Sequence, residues 1–174
     1  MDLRGDEQRD YRDGSHYRGG WENGRRHGHG VYTWANGAVY TGEWSYGMMH
    51  GEGDMVWSDC GTYTGEWEMG SMCGFGTRIM ENGIYRGEFK DDKASGFGTK
   101  VHSDGSRYTG HYKLDVRSGY GVYRRTIDDY MYAGQWSGGS MHGQGIETGP
   151  GGLVMRGEWV NGLREGVFMI TRKG

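Results

Sequence analysis

One proline in 174 residues rules out a collagen-like chain or a proline-rich linker. The two cysteines, Cys60 and Cys73, form no CxxC spacing and no disulfide framework, and they point to a reducing compartment. A basic excess is also missing: the net charge of −3 argues against general nucleic-acid binding. Apolar runs are short. GVFMI, near the C-terminus, is among the longest, far from the roughly 20 residues of a membrane-spanning helix. The first sixteen residues, MDLRGDEQRDYRDGSH, are charged and lack the apolar stretch of a signal peptide. The sequence is therefore expected to be soluble and cytoplasmic.

Glycine and aromatics are abundant instead. Glycine numbers 37, and aromatics make up 14% of the chain against only 34% hydrophobic residues overall. Disordered glycine-rich tracts are poor in aromatics, so an ordered structure must stack these rings. The stretch YRGGWENGRRHGHG at residues 17 to 30 shows the mixture and returns along the chain. Aligned on Tyr-x-Gly-x-Trp, repeats start at Tyr17, Tyr40, Tyr63, Tyr85, Tyr108, Tyr132 and Met155, spaced by 23, 23, 22, 23, 24 and 23 residues. The third slot is always glycine. The fifth is aromatic: Trp21, Trp44, Trp67, Phe89, Tyr112, Trp136 and Trp159. The twelfth is glycine throughout, and the fourteenth is glycine until Phe168 replaces it.

Each repeat reads as a β-hairpin. Alternation places the first- and fifth-slot rings on one face, with a bare glycine between them. Asn23-Gly24 and Asn161-Gly162 are the strongest short signal for a type I′ turn, whose two central residues need positive φ. Asp92 and Asp115 stand in the same place in the fourth and fifth repeats. The twelfth- and fourteenth-slot glycines are expected to share a face and to form one trough for the rings. One hairpin would be unstable alone, whereas stacked neighbours support one another. The expected fold is all-β: an elongated single-layer antiparallel sheet of seven stacked hairpins. Residues 1–16 form a charged tail ending in a half repeat (DGSH), and residues 17–174 form the array.

YTGEWSYGMMHGEG and YAGQWSGGSMHGQG resemble MORN repeats, whose usual form is close to Y-x-G-x-W-x-x-G-x-x-H-G-x-G. The resemblance covers about 155 of the 174 residues in seven repeats that agree in register. The departures are Phe89 and Tyr112 for Trp, Asp92 and Asp115 for Gly, and Met155 for Tyr. Cys73, Ser95, Ser118 and Glu165 replace His, and Phe168 replaces the last Gly. The resemblance implies a twisted sheet with a groove along one side. It also implies a scaffold or adaptor of the kind found in cell-cortex and basal structures, ciliary radial spokes and membrane junctions, or appended to lipid kinases and methyltransferases.

The repeat decides several motifs. His27 shares the eleventh slot with His50 and His142, but that slot also holds Cys, Ser and Glu. The HxH doublet is thus a repeat position, because a zinc site needs three or four converging ligands. No phosphate-loop signature or nucleophile elbow occurs, and the expectation is no enzyme, no metal and no cofactor. Partner binding has better candidates. Met48, Met49, Met72 and Met141 stand near the hairpin turns, either as an adaptable contact surface or folded back on their own hairpins. In the thirteenth slot, Phe75, Phe97 and Tyr120 form an apolar stripe opposite the ring face, as a docking surface or a self-stabilising ladder. Val167, Phe168 and Ile170 form an apolar last strand, either pairing with a partner or second copy, or shielded as a cap.

Charge is uneven. Residues 40–84 hold seven acids and one base, a net of −6, and residues 85–125 hold nine bases and five acids, a net of +4. The reading that results is a non-catalytic scaffold binding protein partners within a cytoskeletal, ciliary or flagellar assembly. The alternative is a peripheral membrane adaptor for phosphoinositides, disfavoured by the scarcity of basic turn residues.

Overall fold

The computed structural model describes residues 7–172. It is an open antiparallel sheet in which every strand bonds to its neighbours in chain order. The strands are β1 (Glu7–Asp10), β2 (His16–Glu22), β3 (Arg25–Thr33), β4 (Val39–Ser45), β5 (Met48–Val56), β6 (Thr62–Glu68), β7 (Ser71–Met80) and β8 (Gly83–Lys90). They continue as β9 (Lys93–His102), β10 (Arg107–Lys113), β11 (Val116–Arg125), β12 (Tyr130–Ser137), β13 (Ser140–Thr148), β14 (Leu153–Val160) and β15 (Leu163–Arg172). The fold is all-β, and the hairpin array read from the repeat is what the chain forms. Two compact units divide it: residues up to 81 with 89–92, and residues 82–88 with those from 93 onward.

The seven tight turns within the repeats carry positive φ at both central residues, 49–57° and then 66–90°, including Asp91-Asp92 and Leu114-Asp115. This is the type I′ geometry whose twist matches the flanking strands. The two aspartates add a bond that glycine cannot make: Asp92 accepts from the Met72 N–H and Asp115 from the Ala94 N–H, both at 2.8 Å. The looser turns between repeats close with side chains. Asp13, Asn36, Asp59 and Asp104 each accept the N–H two residues on, at 2.8–3.0 Å.

The core is a ladder of rings on one face. In the first unit Tyr17 meets Trp21 and Trp44, Tyr40 meets Trp44 and Trp67, and Tyr63 meets Trp67 and Phe89. All these contacts are edge-on, with centroids 5.0–5.4 Å apart. In the second unit Tyr85 meets Tyr112, Tyr108 meets Tyr112 and Trp136, and Tyr132 meets Trp136 and Trp159, at 5.1–5.3 Å. Tyr17, Tyr40, Tyr63, Tyr108 and Tyr132 are fully buried. Each first-slot hydroxyl donates to the fourth-slot carbonyl of its own repeat at 3.0–3.1 Å. Indole N–H groups tie successive repeats: Trp44 donates to the Gly30 carbonyl, Trp67 to Gly53 and Trp136 to Gly121, at 3.1–3.2 Å.

The glycine trough differs from the expectation. The third and fourteenth slots form it, lying opposite each other (Gly42↔Gly53, Gly110↔Gly121) beneath the tyrosine ring. The twelfth slot belongs to a β-bulge. Its glycines have φ between 51° and 75°, and the register shifts there. Where a side chain would project, the fourth-slot side chain sits and accepts the next N–H: Glu43 from Glu52, Glu66 from Phe75, Glu88 from Phe97 and Gln135 from Gln144, at 2.6–3.1 Å. Burying one tyrosine ring stabilises by about 4 kcal/mol. The two glycines beneath it cost about 1–2 kcal/mol together, so the ring term wins.

The last repeat keeps the ladder by exchanging two residues. Met155 stands where the tyrosine belongs, and Phe168 replaces the fourteenth-slot glycine. The Phe168 ring folds over Gly157, where a Cβ would lie 2.8 Å from it, and meets Trp159 edge-on at 4.8 Å. The ring comes from the opposite strand and fills the same space.

Candidate partner-binding face

The tenth slot faces the rings and holds three of the four methionines near the turns, while Met48, in the ninth slot, lies across from Ser45. Met49, Met72 and Met141 lie directly across from Trp44, Trp67 and Trp136. Met72 is buried, and Met48, Met49 and Met141 are half-buried. Arginine plays the same part elsewhere in this slot. Arg26 stacks over Trp44 and Arg117 over Trp136, each guanidinium carbon 4.3 Å from the ring centroid. Each also donates to a glycine carbonyl of the next turn, Gly47 at 2.8 Å and Gly139 at 2.7 Å. Met72 is therefore withdrawn from the contact surface: it is buried opposite Trp67 on its own hairpin, the folded-back one of the two readings. Phe168 is corrected likewise, since its ring is spent on Gly157 and Trp159.

Burial pushes the buried tyrosine hydroxyls up, Tyr108 and Tyr132 to about 12 and Tyr40, Tyr63, Tyr85 and Tyr112 further. At neutral pH all are uncharged, and Tyr40, Tyr63, Tyr85, Tyr108 and Tyr132 donate to backbone carbonyls, a structural role. Burial also raises the Cys73 thiol, away from a reactive thiolate. Among the described residues no three His, Cys, Asp or Glu side chains gather as a metal site. His27 instead lies 3.6 Å from Glu22.

The opposite face carries the thirteenth slot. Phe75, Phe97, Tyr120 and Val167 are exposed there, Val167 to 95%. In the second unit Phe97, Tyr120 and Val167 converge on one groove of about 970 Å³. Its floor is a row crossing the strands, Val122, Ala133, Ile146, Arg156 and Met169, each directly opposite the next. Sequence reasoning missed these floor residues, which occupy the second and fifteenth slots. The signal was present: after Arg18 and Val31 of the first repeat, the same slots in the first unit read Thr41, Asp54, Thr64 and Thr77. Phe75 stands in that first unit beside Glu66, which holds its N–H at 2.7 Å. Ile170 lies opposite Met155 and is 60% exposed.

An apolar trough floored by sheet side chains, walled by two aromatics and open to solvent, can accept an apolar chain segment. No helix of the described residues is long and apolar enough to cross a membrane. Among solved structures, the wild-type TCP10 domain of Danio rerio CPAP matches 99% of this chain and 87% of its own length. The match has 11% identity and a TM-score of 0.49, a likeness too distant to carry function across. The family model described as MORN repeat matches seven times, at residues 17–39, 40–59, 63–84, 85–107, 108–129, 132–154 and 156–167. Those boundaries fall on the hairpins described above, and the chain belongs to the MORN-repeat family.

Proposed function

We propose that this chain is a non-catalytic scaffold or adaptor that binds protein partners as a subunit of a larger assembly. MORN repeats are interaction modules for protein or lipid. The observation carrying the protein reading is the apolar groove of the second unit, where Phe97, Tyr120 and Val167 stand over Val122, Ala133, Ile146 and Met169. Surface of this kind marks an interaction site more often than a bare sheet face. A cytoskeletal, ciliary or flagellar setting rests on the family resemblance alone. The pairing of β1 with β2, and the Asp13 turn between them, support reading residues 13–16 as the end of a half repeat. β15 bonds only to β14 and exposes Val167, Met169 and Ile170, which supports self-association there as a variant of the same reading.

The test is detergent fractionation of expressing cells, then cross-linking and mass spectrometry. Retention in the detergent-resistant pellet, with cross-links to structural proteins, is the expected result. Release by detergent, with sedimentation on phosphoinositide vesicles at physiological salt, would move the chain to the peripheral-membrane reading. That reading has the basic excess of residues 85–125 in its favour.

A further inference from the structure

The groove of the second unit has a pair of like charges beside one end of its floor and a third within it. Arg107 and Arg124 lie directly across from each other on β10 and β11. Each shares its face with a groove-lining neighbour two residues away, Thr109 and Val122 respectively. Arg156 sits in the floor row itself, between Ile146 and Met169. Like charges directly opposed across an antiparallel pair are destabilising. Among the described residues none of these three arginines has a carboxylate within 4 Å. The Arg107 guanidinium reaches only the Thr109 hydroxyl, at 3.2 Å.

Other arginines of the same unit are engaged. Arg125 grips Asp128 with two bonds of 2.6 and 2.9 Å. Arg164 grips the buried Glu147 with two of the same lengths. Arg117 lies over Trp136 and donates to Gly139.

The carboxylates of the groove face stand along its other side. Glu88 is committed to the Phe97 N–H at 2.6 Å. Glu158 lies opposite Gln144 on one neighbouring strand and Glu165 on the other. The floor turns apolar from Val122 onward, interrupted by Arg156, since Thr99 and Thr109 bond to each other at its near end. Two arginines thus stand beside the Val122 end of the floor and a third within it, with Glu158 across from them.

We infer that this groove binds an acidic amphipathic segment of a partner protein, with apolar residues on Val122, Ala133, Ile146 and Met169 and carboxylates toward Arg107, Arg124 and Arg156. The inference rests on the protein-partner reading of the groove and adds the partner's chemistry. The apolar contact supplies affinity, while the arginines set orientation and steer association, because complementary charge acts on specificity and on-rate more than on raw affinity. The opposed Arg107–Arg124 pair then has a use: a carboxylate placed between them relieves the repulsion present in the free chain.

The experiment selects random peptides displayed on phage against the full chain, with the A133K/I146K chain as counter-target and R107E/R124E/R156E as the charge probe. The three arginines are exposed, so the charge variant keeps its fold, checked by circular dichroism. Selected peptides are expected to combine apolar residues with Asp or Glu. They should lose binding to A133K/I146K and weaken about ten-fold or more on R107E/R124E/R156E. Their association should slow as salt is raised.

Apolar peptides without acid enrichment, indifferent to the arginine changes, would overturn the acidic chemistry and leave the groove reading standing. Peptides that bind A133K/I146K equally well would overturn the groove reading itself. If no peptide is selected, while vesicles of phosphatidylserine and phosphatidylinositol bisphosphate bind through the same arginines, the occupant is a membrane and the inference is wrong.

Discussion

Adding one methyl group at Gly121 tests the packing logic of the whole fold. A Cβ there would fall within the Tyr108 ring, 2.6 Å from its Cε2 and nearer still to its hydroxyl. The ring must lift. Lifting it sacrifices edge contacts to Tyr112 and Trp136 at 5.2 and 5.1 Å, each worth about 0.5–1.5 kcal/mol. It also breaks the hydroxyl bond to the His111 carbonyl, worth about 1 kcal/mol. Overpacking strain of about 1–3 kcal/mol is the cost if the ring stays instead. Either route predicts a loss of about 2–4 kcal/mol for G121A. The substitution should cost nothing once the ring is gone: in a Y108A background, Gly121→Ala is neutral or stabilising by up to about 1 kcal/mol through the lost freedom of glycine.

The comparison substitution is Gly119→Ala, two residues away. Its Cβ would sit 3.4 Å from the nearest atom, His111 Cβ, so only its φ of +60° resists. G119A should cost about 1 kcal/mol with or without the Tyr108 ring. Native-state hydrogen exchange of the β10–β11 amides measures all four chains locally, which suits an array whose repeats need not unfold together. If G121A destabilises equally with and without the ring, the trough explanation fails. The last repeat is a natural instance of the same coupling, since losing the tyrosine at Met155 accompanies gaining the ring at Phe168.

Further outcomes follow from other contacts. Stability should fall as pH rises above about 10, the unfolded tyrosine value, because Tyr108 and Tyr132 hold their protons to about 12 in the folded chain. The unfolded chain ionises first, so the loss develops between those limits; alkaline melting followed by near-ultraviolet absorbance measures it, and an unchanged Tm across that window would contradict the burial account. Glu66→Ala should cost about 1 kcal/mol through the unclasped Phe75 N–H, whereas Glu66→Gln should cost little in a urea titration, since Gln135 makes the same bond in the sixth repeat. Arg164→Ala strands Glu147, which is only 6% exposed, and should cost about 2 kcal/mol at neutral pH. Glu147→Leu added to it should restore most of that loss, read as the shift in Tm.

Much of the fold was legible because the repeat period fixes which side chains share a face. Tyr17 to Trp159, the Asn-Gly turns and the exposure of Phe97 and Tyr120 all follow from two-residue alternation. Alternation fails at a bulge, which is why the twelfth-slot glycines were placed under the rings: their displacement depends on the fourth-slot side chain reaching across to an N–H. Met72 stayed open because its burial depends on folding back against Trp67 of its own hairpin, one of two orientations the sequence allows. Met155 and Phe168 read as separate irregularities until the structure brought them to one place. The groove floor was obscured for a similar reason. Val122, Ala133, Ile146 and Met169 are ordinary residues far apart in sequence, and only strand pairing sets them in a row.

The most direct measurement of the central claim is site-specific photo-cross-linking in living cells. A benzophenone side chain would be placed at Val122 or Ile146 in the groove, at Thr41 on the same face of the first unit, and at Met49 on the ring face. The account predicts a discrete protein adduct from the groove positions, abolished by A133K and absent from the other two sites. Adducts that form from Thr41 or Met49 but not from the groove would contradict it.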